Sequence, residues 1–339
     1  MKKVIFALAA VVALAACSKE QTVVMPEGNA IGFNTFVDKA TRSVNDPSFT
    51  NSSMFDDFAV YGYVEGAVLF DGTKVAKTIE NNDLESYWQY EGTQYWIAGA
   101  NYNFNAVAPL TNGGWVKADG TDKDKTVLSF TNNGTTDLLY ATTPQQGKVS
   151  GNDAVEFNFR HTLSKVKFSF ENGYNATNAT IKVKDIVITN PHKTATAVLT
   201  GETAWSGLAA ADDFTLNFGM ATDAETTTGK ENVEVAYAYG ATYESQNERF
   251  LIPSATAYDY NVTFTVELLV SGSVVATYNH AATAKFAPVA GNAYDIKTVI
   301  TPENIDPNNE QEPIEFTVKS LGGWSNYDNV NMPEEDTNN

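Results

Sequence analysis

Between Val155 and Phe170 apolar and polar side chains alternate, and the alternation changes phase once. Val155, Phe157, Phe159, His161 and Leu163 fall on one face of an extended chain, after which the apolar set moves to Val166, Phe168 and Phe170. A period of two belongs to a strand, whose successive side chains point to opposite faces. A one-residue slip reverses which face is apolar, so a β-bulge or a change of sheet is expected near Ser164 and Lys165. The 19 Phe and 16 Tyr, with abundant Thr and Val, favour strands, and Leu, Glu, Lys and Arg do not recur at helical spacing. An all-β chain is predicted.

Other short β segments follow the same grammar: Phe58–Val64, Tyr102–Ala108, Thr126–Phe130 and Asp137–Ala141, separated by turn signals such as Asn112-Gly113-Gly114 and Asn133-Gly134. Later strands are expected around Ile181–Ile188, Phe214–Phe218, Val262–Leu268, Val274–Tyr278 and Tyr294–Ile300. The length of 339 residues suffices for two domains, and 43% hydrophobic against 19% charged residues supports a packed core. Residues 142–153 are the strongest internal break, so the expected organisation is an N-terminal β-sandwich over 43–150 and a C-terminal one over 151–300. Residues 301–339 form a linker and a C-terminal strand.

The start of the chain has its own logic. Lys2 and Lys3 precede an apolar run from Val4 to Val12, and Leu14-Ala15-Ala16-Cys17 then matches a bacterial lipobox. The run is too short to span a bilayer, so residues 1–17 read as an export signal with Cys17 as the lipidated residue. Cys17 is the only cysteine, which excludes a disulfide. Residues 18–42 read as a tether followed by a strand, with Ile31, Phe33, Thr35 and Val37 on one face. Only three arginines occur, and Arg42 alone lies in a small-residue, loop-like stretch where nicking concentrates. Two readings stand: Arg42-Ser43 as a processing site that releases the strand, or a surface arginine beside a permanent strand.

Site chemistry is sparse. Three histidines, no phosphate-cradling glycine motif and no nucleophile beside an orienting carboxylate argue against an enzyme, and no catalytic residue, metal or cofactor is assigned. Asp119, Asp122 and Asp124 read as a solvated turn, and Glu80, Asp83 and Tyr87-Trp88 as core and rim packing. His161, on the apolar face of a strand, reads as a hydrogen-bonded core or boundary residue. The formal charge of −19, or −19 − 2 = −21 once Lys2 and Lys3 leave with the signal, disfavours nucleic acid as a partner.

Several short motifs occur in a telling order. They are the lipobox at Cys17; Ile31-Gly32-Phe33 followed by Thr41-Arg42; Tyr95-Trp96 leading into Tyr102-Asn-Phe104-Asn-Ala106-Val-Ala-Pro109; Asp137-Leu-Leu-Tyr-Ala141; Phe157-Asn-Phe159-Arg-His161-Thr-Leu163-Ser-Lys165-Val166; Leu251-Ile252-Pro253; and Asn292-Ala-Tyr294. In this combination the chain resembles the Bacteroidales fimbrillin family, the FimA/Mfa-type subunits of type V pili. The resemblance implies two tandem transthyretin-like β-sandwich domains. It also implies an outer-membrane lipoprotein precursor, cut by an Arg-specific or trypsin-like protease, that ends in a cell-surface fimbrium supporting adhesion. Loss of the first strand would then open a groove for a strand from another pilus subunit.

The tail leaves two possibilities. Ile314, Phe316 and Val318 alternate, with Leu321 and Trp324 as further anchors, as in a strand donated to a neighbour. Alternatively the tail folds back as the last strand of its own domain, which favours a tip or accessory subunit. A membrane-retained lipoprotein that binds glycan or host protein through aromatics such as Trp88 and Trp115 is the alternative to a polymerising subunit. Replacing Cys17→Ser removes the only thiol able to form a thioether, so acyl labelling should disappear and the protein should remain in the periplasm. Normal palmitate incorporation in that variant would refute lipidation at Cys17.

Overall fold

The computed structural model describes residues 29–37, 55–79, 86–118, 120, 122–147, 154–173, 179–218, 233–235, 248–305 and 312–323. Twenty strands and a single 3-10 turn make up the secondary structure of these residues, with no α-helix among them. The chain is all-β.

The largest sheet has seven strands in the order β1 (Phe33–Val37), β9 (Val155–His161), β8 (Leu139–Gln146), β5 (Asn101–Ala108), β2 (Asp57–Val64), β3 (Ala67–Ile79) and β4 (Ser86–Tyr90). A second sheet runs β13 (Thr203–Ala210), β12 (His192–Leu199), β7 (Thr126–Thr131) and β6 (Trp115–Lys117). Every residue of β2 is buried, because the sheet is covered on both sides. Phe58, Val60 and Val64 face one core with Phe104, Phe157 and Phe159, while Ala59, Tyr61 and Tyr63 face another with Leu128, Phe130 and Ala197 from the second sheet. Its sequence, Asp-Phe-Ala-Val-Tyr-Gly-Tyr-Val, lacks alternation for that reason.

A further pair of sheets encloses the third core. One holds β15 (Val233–Val235), β10 (Ser164–Asn172), β19 (Asn292–Ile300) and β20 (Thr317–Gly323), with β16 (Arg249–Leu251) also on β10. The other runs β14 (Leu216–Asn217), β11 (Ala179–Ile188), β17 (Tyr258–Val270) and β18 (Ser273–Phe286). Val166, Phe168 and Phe170 meet Val262, Phe264 and Val266 between them.

The phase change near Ser164 is a change of sheet. β9 ends at His161 in the seven-stranded sheet and β10 begins at Ser164 in the other half. The Thr162 backbone N–H and hydroxyl both donate to the Leu138 carbonyl, at 2.9 and 2.7 Å, and fix the crossing. Sheet membership does not divide at 150. β9 pairs with β8 and β1, and β12 pairs with β7 from Thr194↔Thr131 to Leu199↔Thr126. The strands at 155–161, 192–199 and 203–210 therefore belong to the N-terminal sheets; on the face of β2, β5 and β8, Ala195, Ala197 and Leu199 complete the core that Leu128 and Phe130 of β7 begin.

The tail folds back. β20 lies antiparallel to β19, from Lys297↔Thr317 to Asn292↔Gly323. Ile314 is buried in the third core, and the Phe316 ring sits 5.6 Å from Phe168 and 5.8 Å from Phe264. Val318 packs against the same core, and Leu321 packs with Ala293 and Phe250. As a candidate donor strand this segment is already employed in its own sheet; Trp324 lies outside the described residues. Each such apolar side chain contributes roughly 1.5–3 kcal/mol by burial. Truncation after Pro313 should therefore lower unfolding free energy by about 4 kcal/mol or more, read from chemical denaturation. An unchanged midpoint would show that the tail is not part of this core.

Candidate functional site: the groove filled by the first strand

The segment 29–37 enters the seven-stranded sheet with two different partners. Residues 29–31 run antiparallel to 94–96: the Ile31 N–H donates to the Gln94 carbonyl at 2.8 Å, and the Trp96 N–H to the Asn29 carbonyl at 3.0 Å. At Gly32 the segment changes neighbour, its carbonyl accepting from the Val155 N–H at 2.8 Å. β1 then runs parallel to β9, from Phe33↔Val155 to Val37↔Phe159. Parallel pairing at a sheet edge requires a long connection, which the more than 100 residues between the two strands supply. β1 also lies against β4, the opposite edge of the sheet. The sheet thus curls around its core and β1 closes the gap between β9 and β4.

Two side chains of the segment enter that core. Ile31 is 2% exposed and Phe33 3%. The Phe33 ring meets Phe70 at 5.5 Å, Tyr90 at 5.5 Å and Phe104 at 6.0 Å edge-on, and stacks on Phe157 at 5.7 Å. The Tyr90 hydroxyl donates to the Ile31 carbonyl at 2.8 Å and accepts from the Gln94 N–H at 3.1 Å. Burial pushes the Tyr90 phenol up from its usual value, opposed by the Gln94 hydrogen bond, so it stays a neutral donor. Thr35 and Val37 are described in their backbone pairing alone.

The core around this box is dense in rings. Phe55, Phe58 and Trp88 cluster at 5.0–6.1 Å, and Trp96, Tyr102 and Phe104 at 4.8–5.9 Å. Gly62 of β2 makes room for them: a Cβ there would lie 2.5 Å from the Phe70 ring and 3.0 Å from that of Phe104.

The other singled-out residues take structural places. Trp88 packs on Phe55 and Phe58, and the Trp115 indole N–H donates to the Pro109 carbonyl at 2.7 Å; both are half-buried rather than a free aromatic platform. Asp122 accepts from the backbone N–H groups of Asp124 and Lys125 at 2.9 and 3.0 Å, as a turn does. His161 Nδ1 lies 2.5 Å from the Asp137 carboxylate, so the motifs containing Asp137 and His161 meet at one contact. Among the described residues no cluster of three His, Cys, Asp or Glu could hold a metal. Cys17, Arg42, Ser43, Glu80, Asp83 and Asp119 lie outside the described residues. The box residues Phe70, Tyr90 and Phe104 were not singled out as a site from the sequence, because nothing local marks which face of each strand meets Phe33.

A fimbrillin-like family profile matches residues 41–320. The chain belongs to the fimbrillin-like family. Membership supports a pilus-subunit or adhesin role at the cell surface. A search of curated proteins returned no match. Among solved structures, a candidate cell adhesion protein from Bacteroides uniformis is 16% identical, covering 88% of this chain and 100% of its own, with a TM-score of 0.49. The fimbrial anchor protein Mfa2 from Porphyromonas gingivalis is 12% identical over 87% of this chain and 98% of its own, at a TM-score of 0.36. A fimbrial assembly protein from Parabacteroides distasonis is also 12% identical, over 81% and 91%, at 0.40.

Because Gly62 lies under the ring box, Gly62→Val should overpack it and cost about 1–3 kcal/mol. Urea denaturation would read this as a lower midpoint with an unchanged slope. A neutral effect would mean that the box is loose enough to take extra carbon.

Proposed function

We propose that this fimbrillin-like chain is a subunit of a cell-surface pilus, exported as a lipoprotein on Cys17, cut between Arg42 and Ser43, and assembled by exchange of its first strand. The observation that carries the reading is the place of β1. It is a short terminal strand on a sheet edge, it fills a gap between two edges, and it is joined to the body by residues 38–54 alone. Its loss would uncover the outer edge of β9, opposite β8, and the Phe70–Tyr90–Phe104–Phe157 box. Exposed edges and apolar grooves invite strand addition, so a strand retained until export keeps precursors apart.

Cutting does not by itself empty the groove. Burial of Ile31 and Phe33 contributes roughly 1.5–3 kcal/mol each, to which each backbone hydrogen bond adds about 0.5–1.5 kcal/mol. A nicked strand therefore stays until another strand displaces it, and displacement without an empty intermediate protects the groove from water and from wrong partners.

The docked tail favours a second reading of position within the pilus. A chain that keeps β20 in its own sheet accepts a strand and gives none, as a tip or accessory adhesin would. N-terminal sequencing of material sheared from the cell surface tests the maturation route. A mature start at Ser43 is expected in the polymer. Surface protein that retains residues 18–42 would overturn strand removal and favour a membrane-held adhesin.

A further inference from the structure

Resting on the reading that β1 is displaced, we propose that the groove reads the sequence of the strand it accepts, taking an extended segment of the pattern aliphatic–any–aromatic. Phe70, Tyr90, Phe104 and Phe157 select the aromatic and so set the register, and the Tyr90 hydroxyl clamps the backbone beside it. The occupant in the structure is the chain's own segment 29–37, with Ile31 and Phe33 in the aliphatic and aromatic places.

The box fits one six-membered ring. Phe33 has three ring neighbours edge-on and one stacked, all with centroids 5.5–6.0 Å away, within the range that aromatic pairs prefer. A leucine there leaves the stacked face on Phe157 unfilled, and an alanine leaves a cavity. A larger indole would have to push Phe70 and Phe104, which already lie against Gly62.

The position between the two anchors is permissive. At Gly32 an added Cβ would meet only the Ala154 Cβ, at 3.7 Å, which is ordinary contact. Asn34, after the aromatic, is exposed. Discrimination is thus concentrated at the aromatic place.

Register follows from the ring itself. A slip of one residue turns Phe33 to the opposite face, and a slip of two puts a different side chain in the ring box. The Tyr90 hydroxyl, held from behind by the Gln94 N–H, donates to the carbonyl two residues before the aromatic and clamps the backbone once the ring is seated.

The test uses the full chain, nicked by mild trypsin in the 38–42 stretch, with a fluorescent peptide of residues 29–37 offered for exchange. For the peptide variants the protein is unaltered, so its folding is not at issue in those arms. The parent peptide should replace the nicked strand, and Asn34→Ala should bind within about threefold of it. Phe33→Ala should bind at least about a hundredfold more weakly, the cost of emptying an aromatic core site, and Phe33→Trp should also be rejected. Tyr90→Phe in the protein should speed release of the parent peptide about fivefold. Exchange that proceeds equally with the parent, Phe33→Ala and Phe33→Trp peptides would overturn sequence reading while leaving strand exchange intact. Unchanged release from Tyr90→Phe would overturn the clamping role of the Tyr90 hydroxyl. Failure of even the parent peptide to exchange would overturn strand displacement and this inference together.

Discussion

A sheet buried on both faces has to be closed somewhere, and here the closure is Phe33. The central strand β2 supplies one face to the ring-filled core and the other to the sheet built from β7 and β12. Such a strand has no solvent side on which to hide an error, so the arrangement of its neighbours is set by packing on both. The ring core then needs a lid where the sheet edges β9 and β4 approach each other, and residues 29–37 supply it with the side chains of Ile31 and Phe33 and with backbone pairing to β9 and to residues 94–96. An unpaired edge beside an empty apolar box is costly in water, so residues 29–37 are held by backbone and side chains together.

Aromatic packing is the means of closure. Rings at 5–6 Å in edge-on and tilted arrangements fill space without needing polar partners, and they hold orientation better than aliphatic chains. Polar groups appear in this core at its rim, where Tyr90 ties the Ile31 carbonyl to the Gln94 loop and the Tyr102 hydroxyl accepts from the Ile97 N–H at 2.7 Å. The division keeps the interior apolar and gives the backbone of residues 29–31 hydrogen-bond partners at the rim.

The two ends of the chain are held by similar chemistry with different consequences. Ile31 and Phe33 dock at a sheet edge at the N-terminal end; Ile314 and Phe316 dock in the core between β10 and β17 at the other. Each adds the outer strand of its sheet, β1 on β9 and β20 on β19, so losing the first would uncover β9 and the ring box, and losing the second β19 and the third core.

Period-two alternation made the strands at 155–161 and 164–172, the change of sheet between them and the strands at 101–108 and 126–131 legible in the linear sequence, because alternation is a property of one chain segment facing one core. It also brought out Ile31 and Phe33 as the apolar face of a terminal strand. Pairing partners were not legible in this way. That β1 runs parallel to β9, that β12 crosses to join β7, and that the tail folds back depend on which distant edge and which uncovered face are free once the other strands have packed. The box around Phe33 is of the same kind: Phe70, Tyr90, Phe104 and Phe157 come from four strands and converge only when the sheet curls. Residue spacing thus determined what each segment becomes, and the closure of two-sided cores decided where it goes.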